Sequence, residues 1–193
     1  MTNSGTDPIT DPFTDAPIDS LLETLIGSLR ANTCAVSGPM SAEEARAAIV
    51  ERASLHTLVA CNGDVPIPGM VDALVARGLE VLACDDPGWS TRLADAGVGI
   101  TGARLAVVHP AAIALAAAPG SPRATSLVPP EHICVLRVAD IIPTLAEAML
   151  SIAAGEMPSA LTWIGGPSRT GDLEMITTLG VHGPRAVEVL LIA

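Results

Sequence analysis

Short aliphatic runs alternate along this chain with segments whose apolar residues recur at helical spacing, and that rhythm leaves few folds open. Residues 57–61, 80–84, 98–100, 105–108, 113–117, 132–138, 160–164 and 186–191 read as strands. Between them lie amphipathic stretches. Leu21, Leu22, Leu25, Ile26 and Leu29 define a helix over 21–30, capped by Asp19-Ser20 and ending by Asn32. Ser41-Ala42-Glu43-Glu44 opens a second helix with carboxylates in its first turn, where the helix dipole favours them. Residues 69–77 form a helix closed by Gly78, 89–96 a short one, Asp140 caps one that runs to Ala154, and 170–178 make another. Residues 118–130 form a loop rich in Pro, Gly and Ser. Buried strands alternating with helices predict an α/β fold: a mostly parallel sheet flanked by helices, with a small antiparallel insertion among the closely spaced strands of 98–117 and with 186–191 closing the sheet.

A chain of 193 residues is long enough for one substantial core, so a single domain over 18–193 is expected. Residues 1–17, with Asp7-Pro8, Asp11-Pro12 and Ala16-Pro17 and few apolar groups, read as a disordered tail. Phe13, Trp89 and Trp163 are the only aromatics, so the core must be aliphatic. The apolar runs are shorter than the ~20 residues a membrane-spanning helix requires, and the N-terminus lacks the basic-then-apolar pattern of a signal peptide, which together predict a cytoplasmic protein without membrane insertion. Ten basic against 21 acidic residues give a net charge of −11, a poor match for a phosphate backbone, so nucleic acid is not an expected partner. All the basic residues are Arg. Without Lys, Schiff-base and Walker-type chemistry are excluded.

Cys34, Cys61, Cys84 and Cys134 are each more than twenty residues apart, flanked by apolar neighbours, and read as small buried hydrophobes. No C-x-x-C pair, H-x-H or H-E-x-x-H pattern is present, so neither an iron–sulphur cluster nor a zinc site of the chain's own is expected, and no cofactor. There is also no G-x-S-x-G elbow.

Three segments could carry chemistry. Gly165-Gly166-Pro167-Ser168-Arg169-Thr170 follows a strand, and open α/β sheets bind ligands beyond the carboxyl ends of strands. Its backbone N–H groups at Gly166, the Ser168 and Thr170 hydroxyls and the Arg169 guanidinium could converge on a small anion; alternatively Ser168 or Thr170 caps the next helix while Arg169 pairs with Asp172 or Glu174. Gly180-Val181-His182-Gly183-Pro184 is a turn that places His182 near the same sheet edge, as a hydrogen-bond donor or as a base. Pro129-Pro130-Glu131-His132 sets a carboxylate beside an imidazole, suited to acid–base work if a cleft lies there and otherwise a solvated strand end.

Four ordered motifs carry a resemblance: Val98-Gly99-Ile100-Thr101-Gly102-Ala103, Ser126-Leu127-Val128-Pro129-Pro130-Glu131-His132-Ile133, Gly166 to Glu174, and Gly180 to Pro184. In order and spacing they resemble the LutC/YkgG family of lactate-utilisation (LUD-domain) proteins, over roughly residues 97–193. The resemblance implies a fold like the NagB, ribose-phosphate isomerase and CoA-transferase group. It also implies a role beside iron–sulphur oxidoreductase subunits that oxidise L-lactate to pyruvate, the clusters belonging to the partners. Thr101, Glu131, His132 and His182 become neighbours of a site centred on Gly166, Ser168, Arg169 and Thr170. The fold group also leaves room for a phosphorylated, nucleotide or CoA-like ligand, for a regulatory or scaffold role, and for a homo-oligomer. One stretch departs from the family: where an acidic residue followed by Thr-Gly-Thr is usual, this chain has His109-Pro110-Ala111-Ala112.

Overall fold

The computed structural model describes residues 16–171, 177–179 and 182–193. Most of the tail over 1–17 therefore lies outside the described residues. Helix α1 (Ile18–Ala31) buries Leu21, Leu25 and Leu29 at helical spacing and ends at Asn32, as its pattern requires. Strand β1 (Ala35–Met40) follows, then helix α2 (Ala42–Ala53), held at its start by a capping box in which Ser41 Oγ accepts from Glu44 N–H and the Glu44 carboxylate accepts from Ser41 N–H.

The chain then builds β2 (Leu58–Cys61), α3 (Met70–Ala76), β3 (Glu80–Leu82), α4 (Trp89–Arg92) and β4 (Val98–Gly102). Next come β5 (Leu105–His109), β6 (Ala112–Ala117), a 3-10 turn at Arg123–Ser126, and β7 (Glu131–Arg137). Strand β8 (Ile141–Thr144), α5 (Leu145–Ala153), β9 (Ala160–Ile164), β10 (Arg169–Gly171), β11 (Thr177–Leu179) and β12 (Ala186–Ile192) complete the order.

Six strands form the main sheet in the order β1-β12-β7-β4-β2-β3, and all five pairings are parallel. Strand β2 and the interior of β7 are buried throughout, the mark of a parallel strand covered on both sides. One face packs on α2 and α3 through Ile49, Val59, Ile100, Ile133 and Leu190. The other packs on α1 and on a second sheet, through Leu25, Val108, Leu136 and Val189. That second sheet is mixed, ordered β8-β5-β6-β9, and α5 covers its outer face through Ala148 and Ile152. No helix among the described residues is long and apolar enough to cross a membrane.

The expected antiparallel insertion is present as the β5–β6 pair, in a second sheet that β8 and β9 join after the chain has returned through β7. Four expectations are corrected. Asp19-Ser20 do not cap α1: the helix starts at Ile18, Pro17 holds the N-cap position without a side-chain cap among the described residues, and Asp19 stands inside the first turn. Strand β12 does not close the main sheet at an edge but lies inside it, between β1 and β7. Asp140 does not cap α5: residues Ile141–Thr144 pair with β5 first, and Thr144 supplies the cap, its hydroxyl accepting from Glu147 N–H. The helix expected over 170–178 is absent from its described part, where β10 and β11 pair antiparallel, Arg169 with Leu179 and Gly171 with Thr177; residues 172–176 lie outside the described residues.

Candidate functional site

The Arg169 loop is built by three turns that meet. After α1 the backbone tightens, Cys34 N–H donating to the Leu29 carbonyl and Thr33 adopting a left-handed φ of 65°. This presents the Thr33 hydroxyl to Arg169, whose Nη2 donates to Oγ1 at 2.8 Å. Gly166 passes so close to this turn that a Cβ would stand 2.6 Å from the Asn32 carbonyl oxygen, an approach only glycine permits.

Ser168 is fixed from the other side. Its N–H donates to the Pro184 carbonyl at 3.1 Å, and its Oγ accepts from His182 N–H at 3.3 Å. Asn32, Gly165, Gly166, Pro167 and Arg169 line a cleft of about 290 Å³. The Arg169 side chain is exposed, and its positive field draws the nearby Cys34 thiol down, although burial raises that thiol by more.

The structure thus gathers Gly166, Ser168, Arg169 and the backbone of His182. The Thr170 side chain, Gly180, Val181, Asp172 and Glu174 lie outside what is described. The place differs from the expected one: Thr33 precedes β1, Pro184 precedes β12, and Arg185 N–H donates to Pro130 just ahead of β7, so the loop borders the amino ends of the main sheet. The reason is that the strand feeding it, β9, belongs to the second sheet and runs antiparallel to β6. The His109–Ala112 stretch is close by, the Ala111 carbonyl lying 3.5 Å from where a Gly165 Cβ would be.

The other named residues separate into two places. Thr101 and His132 meet inside the core, Thr101 Oγ1 and His132 Nε2 standing 2.9 Å apart with both residues at most 2% exposed. Burial pushes the His132 pKa down to about 4, so the imidazole is neutral, and its Nδ1 has no hydrogen-bond partner among the described residues. The Arg123–Ser126 turn seals this region, since a Cβ on Gly99, the register partner of His132, would meet the Thr125 carbonyl oxygen at 1.9 Å. Glu131, one residue earlier and therefore on the opposite face of the strand, is exposed and stands 3.4 Å from His56 Nε2. Glu131 and His132 do not form an acid–base pair.

Sequence reasoning missed Asn32 and Thr33, whose part depends on a partner 136 residues away. The only local signal was an Asn-Thr pair just past a helix end.

The chain matches the LUD domain over residues 22–192. Lactate utilization protein C of Deinococcus radiodurans is 32% identical over 155 residues, spanning 79% of this chain and 71% of that protein. A protein of Escherichia coli described as uncharacterized protein YkgG is 35% identical over 102 residues, spanning half of this chain and 44% of its own length. Among solved structures, the crystal structure of a DUF162 family protein from Deinococcus radiodurans superposes with a TM-score of 0.72 at 25% identity, over 92% of this chain and 99% of that one.

Proposed function

This chain belongs to the LUD domain family, and on that premise we propose that it acts in lactate utilisation, as an accessory subunit beside iron–sulphur oxidoreductase subunits that oxidise L-lactate. The observation that carries the reading is the extent of the match, which runs from α1 to β12 and includes a relative named lactate utilization protein C.

The chain's own chemistry agrees with an accessory role. Ligation of a metal or cluster through cysteine requires thiolates. Burial pushes Cys61 and Cys134 up to about 12 and raises Cys34, which keeps all three protonated at neutral pH. On the proposed reading the redox centres belong to partner subunits. The Arg169 loop would supply a cation at the amino edge of the sheet, either for an acidic partner surface or for a small anion.

The test is growth on L-lactate as sole carbon source after deletion of the gene, with complementation by wild type and by Arg169→Ala. Failure of growth restored only by wild type supports both the pathway and the loop; normal growth in a host without a second copy would overturn the reading. Affinity capture of the tagged protein from lactate-grown cells is expected to bring down iron–sulphur subunits. The cleft beside Arg169 supports a second reading, a binding site for a phosphorylated, nucleotide or CoA-like ligand. In that case CoA, nucleotides or sugar phosphates raise the melting temperature of wild type and not of Arg169→Ala.

A further inference from the structure

Strand order in the main sheet reverses after β3, because the chain steps from β2 outward to β3 and then returns to the far side of β2 to lay down β4. The connection leaving β2 runs to α3 on one face, and the connection leaving β4 runs to the second sheet on the other. Connections that part in this way leave a crevice beyond the carboxyl ends of the strands.

In this chain the crevice is open and shaped. The segment after β2 bends across the end of β4, Asp64 Oδ1 accepting from Gly102 N–H at 3.0 Å, and any side chain at Gly102 would strike the Asp64 carbonyl at 2.2 Å. Beside it lies a cavity of about 580 Å³, twice the volume of the Arg169 cleft and at the opposite end of the sheet. Ile67, Met70 and Val71 give it an apolar wall, and buried Asn62 is among its lining residues. Arg137, the last residue of β7, is the one cation among the described residues that line it. Arg137 Nε donates to the Asp140 carboxylate at 2.6 Å, an ion pair on a largely exposed side chain that orients the guanidinium and leaves both Nη groups without a partner among the described residues.

We propose that this crevice binds a small monocarboxylate with an apolar body. A guanidinium held by its Nε presents its two Nη groups as a fork that matches the two oxygens of one carboxylate. The apolar wall accepts the hydrocarbon part. Asp72 on the rim, in a chain of net charge −11, penalises a second negative charge and so selects against phosphate dianions. This site is independent of the lactate reading and of the Arg169 loop, and its failure would leave both untouched.

The experiment is a titration of the full, isotopically labelled chain with sodium hexanoate, followed by amide NMR, with hexanamide and phenyl phosphate as comparators. Hexanoate is expected to shift the amides of Gly63, Ile67 and Val71 saturably, and hexanamide to leave them in place. Arg137→Met should weaken binding about tenfold or more, the loss of one charge-assisted contact. Val71→Trp, at an exposed rim position, should abolish it by filling the cavity, with the remaining spectrum unchanged in both variants. Any of four results would overturn the proposal: no saturation by ~50 mM hexanoate, a concentration well above the millimolar affinities of weak ligands; equal shifts from hexanamide; tighter binding of phenyl phosphate; or unchanged binding in Arg137→Met.

Discussion

At His132 a neutral imidazole is sealed in the core with one nitrogen bonded and the other without a partner among the described residues, and this gives the molecule a pH signature. Unfolding returns the ring to water, where it titrates near 6.5, whereas in the fold burial holds it at about 4. Below pH 6.5 the unfolded chain takes up a proton that the folded chain refuses. The contribution is therefore complete above pH 6.5 and is lost as the pH falls to about 4, a total of about 3 kcal/mol. His132→Gln should lack this dependence, so that urea midpoints measured from pH 7 to pH 4 fall less steeply than in wild type; parallel curves would refute the assignment. Thr101→Val keeps the shape of Thr101 but leaves His132 Nε2 unpaired as well, which should cost about 1–3 kcal/mol by chemical unfolding. The sequence could offer both residues as candidates, yet their 31-residue separation hides the fact that they face each other. Sequence analysis also left Glu131 beside His132, although alternation along an extended strand sends adjacent side chains to opposite faces.

At the scale of elements, two predictions separate local from tertiary control. Ser41→Ala removes the capping box of α2 and should cost about 1 kcal/mol. Gly99→Ala disturbs no local preference in β4, but its methyl would force the Arg123–Ser126 turn away from the sheet, and about 2 kcal/mol or more is expected. Thermal unfolding of both variants tests the ranking; a milder Gly99→Ala would mean that the turn yields freely. The same division explains which elements were legible. Helices α1, α2 and α3 carry their own apolar periodicity, α2 a capping box besides, and the buried runs of β2, β4, β5 and β7 carry theirs. Strand β1 was missed because Gly38-Pro39 reads as a turn. In the fold Gly38, at φ 102°, lies where a Cβ would stand 2.4 Å from the Leu191 carbonyl oxygen, and the register of β1 on β12 shifts around it. Residues 141–144 were read into a helix because Asp140 and Thr144 are both good caps, and pairing with β5, which no local pattern records, decides between them.

At the scale of the whole molecule, composition and alternation sufficed for an α/β fold with an aliphatic core. They could not give the order of the strands, which depends on how the connections cross the sheet. That order decides where the concave features fall, with the Arg169 loop at the amino edge and the Arg137 crevice at the carboxyl edge.

The position of β12 has a consequence for how the protein is made. Residues Ala186–Ile192 lie between β1 and β7, so the N-terminal strand has no neighbour in the main sheet until nearly all of the described chain has been synthesised. Contacts between residues so distant in sequence are slow to form, and α1 and β1 leave the ribosome long before they can be paired. A nascent chain arrested ahead of residue 186 should accordingly remain sensitive to protease over 35–40, and one extended far enough for β12 to clear the exit tunnel should become protected in a single step. Protection before β12 emerges would show that the first helix and strand find a stable partner of their own. If they do not, the first helix and strand keep their apolar faces uncovered until the last strand has been made.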